Sequence, residues 1–277
     1  MLPFLQCGAF RLSLDVPRIM GIVNVTPDSF SDGGEAFDPA RAIERAWRLK
    51  EDGADILDLG GESTRPGAPP VGAEEELARI MPVIEGLKGI GIPLSIDTYK
   101  PVVMREAVRA GVGFINDINA LQAEGAVAAA AALPAAVCLM HMQGEPRTMQ
   151  RAPSYHDVVG EVHAFLARRV AAARQAGIAR ERLTVDPGFG FGKGLEHNLV
   201  LLRHLGRFSD LGVPILVGLS RKSMIGQLTG RPVGERVSGS VAAAVLAVVE
   251  GARIVRVHDV RATRDALAVV AAFQETV

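Results

Sequence analysis

Cysteine is scarce. Cys7 and Cys138 are the only two in 277 residues and share no metal or redox spacing, which fits a reducing compartment. Net charge is also nearly absent, with 30 Lys and Arg against 31 Asp and Glu, so neither nucleic acid nor an acidic membrane surface is expected as a partner. Long apolar runs are missing: none approaches the ~18 residues of a membrane-crossing helix. Residues 1–16 lack the basic segment and uninterrupted apolar stretch of a secretory signal. The six histidines are scattered without zinc spacing. These absences point to a soluble, cytoplasmic protein. Apolar material is plentiful, at 48% of residues, enough for a sizeable core.

The apolar material is distributed with a regular beat. After an alternating lead-in over 2–16, read as a short N-terminal hairpin turning at Gly8, apolar strands are expected at 19–25, 55–60, 93–98, 114–118, 135–141, 183–187, 214–220 and 254–259. Helical segments lie between and after them at 39–52, 74–87, 101–110, 123–132, 155–175, 197–205, 239–250 and 263–274, several closed by a glycine. Eight strands alternating with helices predict an α/β protein with a parallel sheet, closed as a (β/α)₈ TIM barrel. No linker divides the chain, so a single domain over 1–277 is expected. The glycine-rich stretch 187–194, PGFGFGKG, matches neither GxGxxG nor GxxxxGK[ST] and gives no nucleotide-binding motif.

In such a barrel the chemistry sits at the C-terminal strand ends. Asn24 stands where the first strand opens into the polar run 26–34, whose oxygens suit a hard cation or phosphate and equally suit a capped turn before Pro39. The second strand opens into a polar loop, Gly60-Gly61-Glu62-Ser63-Thr64-Arg65-Pro66-Gly67. Asp97, Asn116 and Asp186 close the third, fourth and sixth strands. Asp97 or Asp186 alone reads as a helix cap. Together, two carboxylates and an amide match a ligand edge rich in N–H donors, as in a pyrimidinone-like heterocycle. The fifth strand ends at Met140, which either lines a slot for a flat ring or packs the core, and His141 reads as structural.

The seventh strand runs into Arg221-Lys222-Ser223, either an anion-closing segment or an ordinary solvated basic loop. In the eighth, Arg256 and His258 are two apart and project to one side. A charged Arg facing a barrel interior needs an anion. A di- or triphosphate would serve, and so would an internal salt bridge to Asp97 or Asp186. Any metal is expected to be Mg²⁺ held by few protein oxygens together with phosphate.

Eight segments, in order, resemble the dihydropteroate synthase family: GIVNVTPDSFSDGG from Gly21, GGESTRPG from Gly60, SIDTYKP from Ser95, FINDI from Phe114, LMHMQG from Leu139, DPGFGFGK from Asp186, LSRKS from Leu219 and RVHDV from Arg256. The resemblance spans about 19–260. It implies condensation of 6-hydroxymethyl-7,8-dihydropterin diphosphate with p-aminobenzoate to 7,8-dihydropteroate and pyrophosphate, a step of folate synthesis. By resemblance, Asp97, Asn116, Asp186 and Lys222 hold the pterin, with Met140 and Gly218 beside them. Asn24, Thr64, Arg256 and His258 would bind the diphosphate, with Mg²⁺ near Asn24. Phe30, Ser31, Asp32, Arg65, Pro66, Phe191, Lys222 and Ser223 would form the p-aminobenzoate pocket, where sulfonamides compete. The catalytic set would be Asp97, Asp186, Lys222, Arg256 and His258. The chain has no room for the pyrophosphokinase domain fused to some members, so a monofunctional enzyme is expected.

Two other readings share the pterin edge: a pterin-binding methyltransferase domain serving a corrinoid acceptor, and a non-catalytic homologue. The first has no use for the Lys222-Ser223 and Arg256-His258 anion set, and loss of Asn24, Asp97 or Lys222 would mark the second. All of these residues are present. Residues 240–249, SVAAAVLAVV, are apolar on every face, more than a barrel's outer helix needs toward solvent, so a homodimer through the last helices is expected.

Overall fold

The computed structural model describes residues 2–25, 38–63, 68–145 and 148–275. Strands β1 (Phe4–Cys7) and β2 (Phe10–Ser13) pair antiparallel as the expected hairpin. Gly8 takes the left-handed conformation at its turn, with φ +59°. The eight following strands are β3 (Arg18–Asn24), β4 (Ile56–Gly60), β5 (Leu94–Asp97), β6 (Phe114–Asp117), β7 (Ala136–Met140), β8 (Leu183–Asp186), β9 (Leu216–Val217) and β10 (Ile254–Val257). Every neighbouring pair in this sheet is parallel, in the order β8-β7-β6-β5-β4-β3-β10-β9. A parallel bridge from Val185 to Ile215 joins the two ends. The result is a (β/α)₈ barrel.

The helices are α1 (Pro39–Glu51), α2 (Ala73–Gly86), α3 (Pro101–Arg109), α4 (Ala126–Ala132), α5 (Val158–Gln175), α6 (Leu195–Arg203), α7 (Ser223–Thr229), α8 (Val237–Val249) and α9 (Val260–Glu275). Local chemistry sets their starts. Asp38 caps α1 by accepting from the Ala40 amide, and Asp157 caps α5 by accepting from Gly160. Gly125, at φ +75°, delays α4 to Ala126, three residues later than its apolar pattern suggested. Two expectations need correction. The seventh strand is only two residues long, because the chain leaves the ladder after Val217 and turns at Arg221, whose φ is +58°. A helix that the pattern did not predict, α7, begins at Ser223 and buries Met224 and Ile225, while Arg221 and Lys222 stay outside it. Seven residues are too few for a 3.6-residue period to stand out.

Side-chain alternation along the strands divides the core in two. One set of residues, among them Ile19, Val23, Leu57, Leu59, Ile96, Ile115, Val137, Leu139, Val185 and Val255, packs outward under the helices. The alternate set, Met20, Ile56, Phe114, Ala136, Cys138, Leu216 and Ile254, fills the lower barrel together with Leu5, Cys7 and Leu14 from the hairpin region. Fully buried members such as Phe114 and Met20 contribute roughly 1.5–3 kcal/mol each. This plug closes the bottom. Many of the next inward positions toward the strand ends are polar: Asp58, Ser95, Asp97, Asn116, Thr184, Asp186 and Arg256.

Candidate active site

The polar layer is centred on Arg256. Its Nε donates to Asp58 Oδ2 at 2.5 Å and its Nη2 to Asp97 Oδ2 at 2.8 Å. Asp58, in the middle of β4, also accepts from Ser95 Oγ at 2.6 Å and from Asn116 Nδ2 at 3.1 Å. Four strands, β4, β5, β6 and β10, are thereby tied into one hydrogen-bonded group. Register places Asp97 directly opposite Asn116. The expected internal salt bridge forms with Asp97, and Asp58 adds a second carboxylate partner.

Burial sets the electrostatics. Asp97 has its pKa pushed up to about 7 by burial, against the opposing pull of Arg256. Asp97 Oδ1 is buried and has no hydrogen-bond partner among the described residues. Asp186 is also raised, first by burial, with Lys222 and the Gly188 amide acting against it. The Gly188 N–H donates to Asp186 Oδ1 at 2.7 Å, so this carboxylate does cap its turn. Burial works against the Arg256 charge, but Asp58 and Asp97 outweigh it and leave its pKa raised.

Lys222 reaches over the same mouth. Its Nζ donates to the Phe189 carbonyl and lies 4.6 Å from the centroid of the Phe191 ring. Burial lowers its pKa to about 8, with Asp186 opposing that shift. Gly218 forms an open stretch of wall, where an added Cβ would stand 3.8 Å from Lys222 Nζ. Met140 is buried and is the register partner of Asp186. Ser223, first residue of α7, is exposed.

His258 is half-buried just beyond β10, its Nδ1 3.0 Å from Ser220 Oγ. Asn24 ends β3 opposite Gly60, half-buried at the barrel mouth. Phe30, Ser31, Asp32, Thr64, Arg65 and Pro66 lie outside the described residues.

The glycine-rich stretch that fails as a nucleotide motif has another function. Lys193, 2% exposed, turns its Nζ inward to the Gly188 carbonyl at 2.9 Å, the Phe191 carbonyl at 3.0 Å and His141 Nδ1 at 2.9 Å. Burial lowers the Lys193 pKa to about 7 and, together with Lys193, that of His141 to about 3. Gly188 and Gly192 have positive φ, and a Cβ on either would fall within 2.3 Å of a carbonyl oxygen of the neighbouring loop. The glycines therefore let this loop close around an internal ammonium and present Asp186 and Phe191 at the mouth.

Sequence reasoning overlooked Asp58, Lys193 and Asp259. Asp58 left a signal: an acid in the apolar strand ILDLG, on the face that alternation turns inward. Asp259 binds the Arg221 guanidinium through both oxygens, at 2.9 and 2.5 Å, and thereby orients the segment preceding Lys222.

Among the described residues no group of three His, Cys, Asp or Glu is placed to hold a metal. Asn24 offers one hard oxygen at the mouth, which suits Mg²⁺ carried with a diphosphate and otherwise hydrated.

Comparison with known proteins adds to this geometry. Residues 20–258 match the family model described as pterin binding enzyme. The chain is 54% identical to the dihydropteroate synthase of Neisseria meningitidis serogroup C, over 95% of this chain and 94% of that protein. It superimposes on Xanthomonas albilineans dihydropteroate synthase with 4-aminobenzoic acid at TM-score 0.94 and 56% identity, covering 100% of both chains. A second structure of that enzyme, in complex with 7,8-dihydropteroate, gives TM-score 0.91 at 53% identity over 99% of this chain and 100% of that one. The Yersinia pestis enzyme in a sulfonamide drug complex gives 0.94 at 48% identity, again over 99% and 100%.

Proposed function

The chain belongs to the dihydropteroate synthase family of pterin-binding enzymes, and on that premise we propose which of its residues carry the chemistry. The reaction is condensation of 6-hydroxymethyl-7,8-dihydropterin diphosphate with p-aminobenzoate to 7,8-dihydropteroate and pyrophosphate. Supporting the pterin assignment above all is Asp97 Oδ1, a buried carboxylate oxygen without a donor. An N–H on the pterin edge supplies that donor, because a buried acceptor left unpaired is costly. Asn116 and Asp186 extend the acceptor set, and Lys222 covers it, with Met140 and Gly218 forming apolar wall.

Arg256 and His258 face the diphosphate, with Asn24 and Thr64. Both nitrogens that Arg256 gives to the carboxylates are Nε and Nη2, which leaves Nη1 outside those two ion pairs. Mg²⁺, held with the diphosphate near Asn24, supplies further neutralisation of the leaving group when bound. Phe191, Lys222 and Ser223 are assigned to p-aminobenzoate, together with Phe30, Ser31, Asp32, Arg65 and Pro66, which lie outside the described residues.

The bond between the pterin methylene carbon and the diphosphate oxygen breaks, and its electron pair leaves with pyrophosphate. The aniline nitrogen of p-aminobenzoate forms the new C–N bond and loses a proton to solvent. Positive charge at the methylene spreads into the electron-rich dihydropterin, where Asp97 and Asp186 stabilise it. A weak aniline nucleophile held in line needs position more than a base.

Two further assignments complete the proposal. Leu246 (54% exposed), Val249, Val269 and Phe273 (80% exposed) leave an apolar strip on α8 and α9, which supports a homodimer built on those helices. Buried free Cys7 and Cys138 fit a cytoplasmic setting, and among the described residues no helix is long and apolar enough to cross a membrane.

The test is the initial rate of 7,8-dihydropteroate formation with both substrates and Mg²⁺, repeated at several p-aminobenzoate concentrations with a sulfonamide present. Product inhibited competitively against p-aminobenzoate is expected. Folded protein that binds the pterin diphosphate and makes no product would contradict the reading.

A further inference from the structure

Asp58 has no exposed surface and lies below the mouth, too deep in β4 to count among strand-end groups. Three donors converge on it, from Ser95, Asn116 and Arg256. Its Oδ2 alone receives both the Arg256 Nε and the Asn116 Nδ2. A carboxylate flanked in this way only accepts, so the amide atom that Asn116 turns toward it must be the nitrogen. The opposite amide atom, Asn116 Oδ1, takes no hydrogen bond from the protein among the described residues, and it is not sealed from solvent. The unsatisfied Asp97 Oδ1 belongs to the register neighbour.

We propose that Asp58 is a positioning residue that fixes the Asn116 amide with its oxygen toward the ligand, so that the site selects a ring edge bearing an N–H donor, such as the 2-amino group of a pterin, over one bearing an acceptor. An unanchored asparagine presents oxygen or nitrogen with similar ease and reads a 2-oxo ring nearly as well as a 2-amino ring. Asp58 removes that freedom through the amide nitrogen. The same oxygen holds Arg256, so the edge-reading group and the anion-facing group share one anchor. This inference rests on the pterin reading of the site.

The geometry also predicts how substitutions differ. In Asp58→Asn the side-chain oxygen can stay at the Oδ2 position, accepting from Arg256 and Asn116, while the new amide nitrogen donates to Ser95 Oγ, which has acceptor capacity. The charge disappears and the Asn116 orientation remains. Asp58→Leu, branched at the same carbon though larger, removes the acceptor altogether.

The experiment measures dissociation constants of 6-hydroxymethylpterin and its 2-oxo counterpart, with pyrophosphate and Mg²⁺ present, for wild type and both variants. Wild type is expected to prefer the 2-amino ring. Asp58→Asn should keep that preference to within about threefold, and Asp58→Leu should lose at least about tenfold of it, the scale of one mismatched buried hydrogen bond. A preference unchanged in Asp58→Leu, or lost equally in both variants, would overturn the proposal.

If Asp58→Leu does not fold, the Asn116 side-chain amide protons of ¹⁵N-labelled wild type decide. Shifts that are the same with either ring keep the nitrogen on Asp58, and shifts that follow the ring put it on the ligand. Wild type that binds neither ring would instead reject the pterin reading itself.

Discussion

Arg256 Nη2 lies 2.8 Å from Asp97 Oδ2, joining the last strand of the barrel to its third across the mouth. The contact holds one carboxylate oxygen and leaves the other, Oδ1, buried without a partner. Asp97 is thus kept beside a fixed cation while one of its two acceptors stays unpaired among the described residues.

Asp97→Asn should therefore harm chemistry more than folding. The substitution keeps the shape and an acceptor for Arg256 but removes the charge that is proposed to stabilise the methylene. Turnover is expected to fall by roughly 10²-fold or more. Burial already penalises the ionised Asp97, raising its pKa, so unfolding free energy in urea should change by less than about 1.5 kcal/mol. Turnover equal to wild type would remove the electrostatic role.

Arg256→Met should do the reverse as well as impair activity. It leaves Asp58, with no exposed surface, as an uncompensated buried carboxylate, which typically costs about 3–5 kcal/mol. Urea unfolding at neutral pH measures the loss. A loss below about 1 kcal/mol would mean that Ser95 and Asn116 suffice to hold the charge.

The effect of pH follows from Lys222, whose pKa is lowered by burial from 10.5 to about 8. Between those values the unfolded chain binds more protons than the folded one, so this residue's contribution to stability rises as pH climbs through that window. Catalytic efficiency should move oppositely, because the charged form covers the site. The kcat/KM for the pterin diphosphate is expected to fall above about pH 8. Lys222→Arg, which stays charged, should push that limb to higher pH. A limb that does not move belongs to another group.

Leu246→Glu places a charge on the apolar strip of α8, at a position 54% exposed. Sedimentation equilibrium should show a dimer for wild type and a shift to monomer for the variant, with little change in unfolding. A wild type that is monomeric at all concentrations would contradict the dimer.

Much of this arrangement was legible in the sequence because barrel geometry translates strand ends into a shared mouth. Asp97, Asn116 and Asp186 each follow a short apolar run, and alternation along 254–257 turns Arg256 inward, while His258 lies just past the strand's end. Two features were hidden for different physical reasons. Asp58 lies mid-strand, where its partners come from strands 37, 58 and 198 residues away in the chain, and no local pattern encodes that convergence. Lys193 looks like a solvated residue after a flexible run, yet positive-φ glycines wrap the loop carbonyls around its ammonium. Helix α7 leaves no mark in the sequence, because seven residues are too few for a visible period.

On the proposed function, this barrel mouth transfers a pterin methylene to p-aminobenzoate and not to water. The direct measurement is pyrophosphate release from the pterin diphosphate with Mg²⁺, with and without p-aminobenzoate, alongside the yield of 7,8-dihydropteroate. Steady-state release is expected to depend on p-aminobenzoate and to match dihydropteroate mole for mole. Release at the same rate without p-aminobenzoate, or pyrophosphate formed without dihydropteroate, would contradict it.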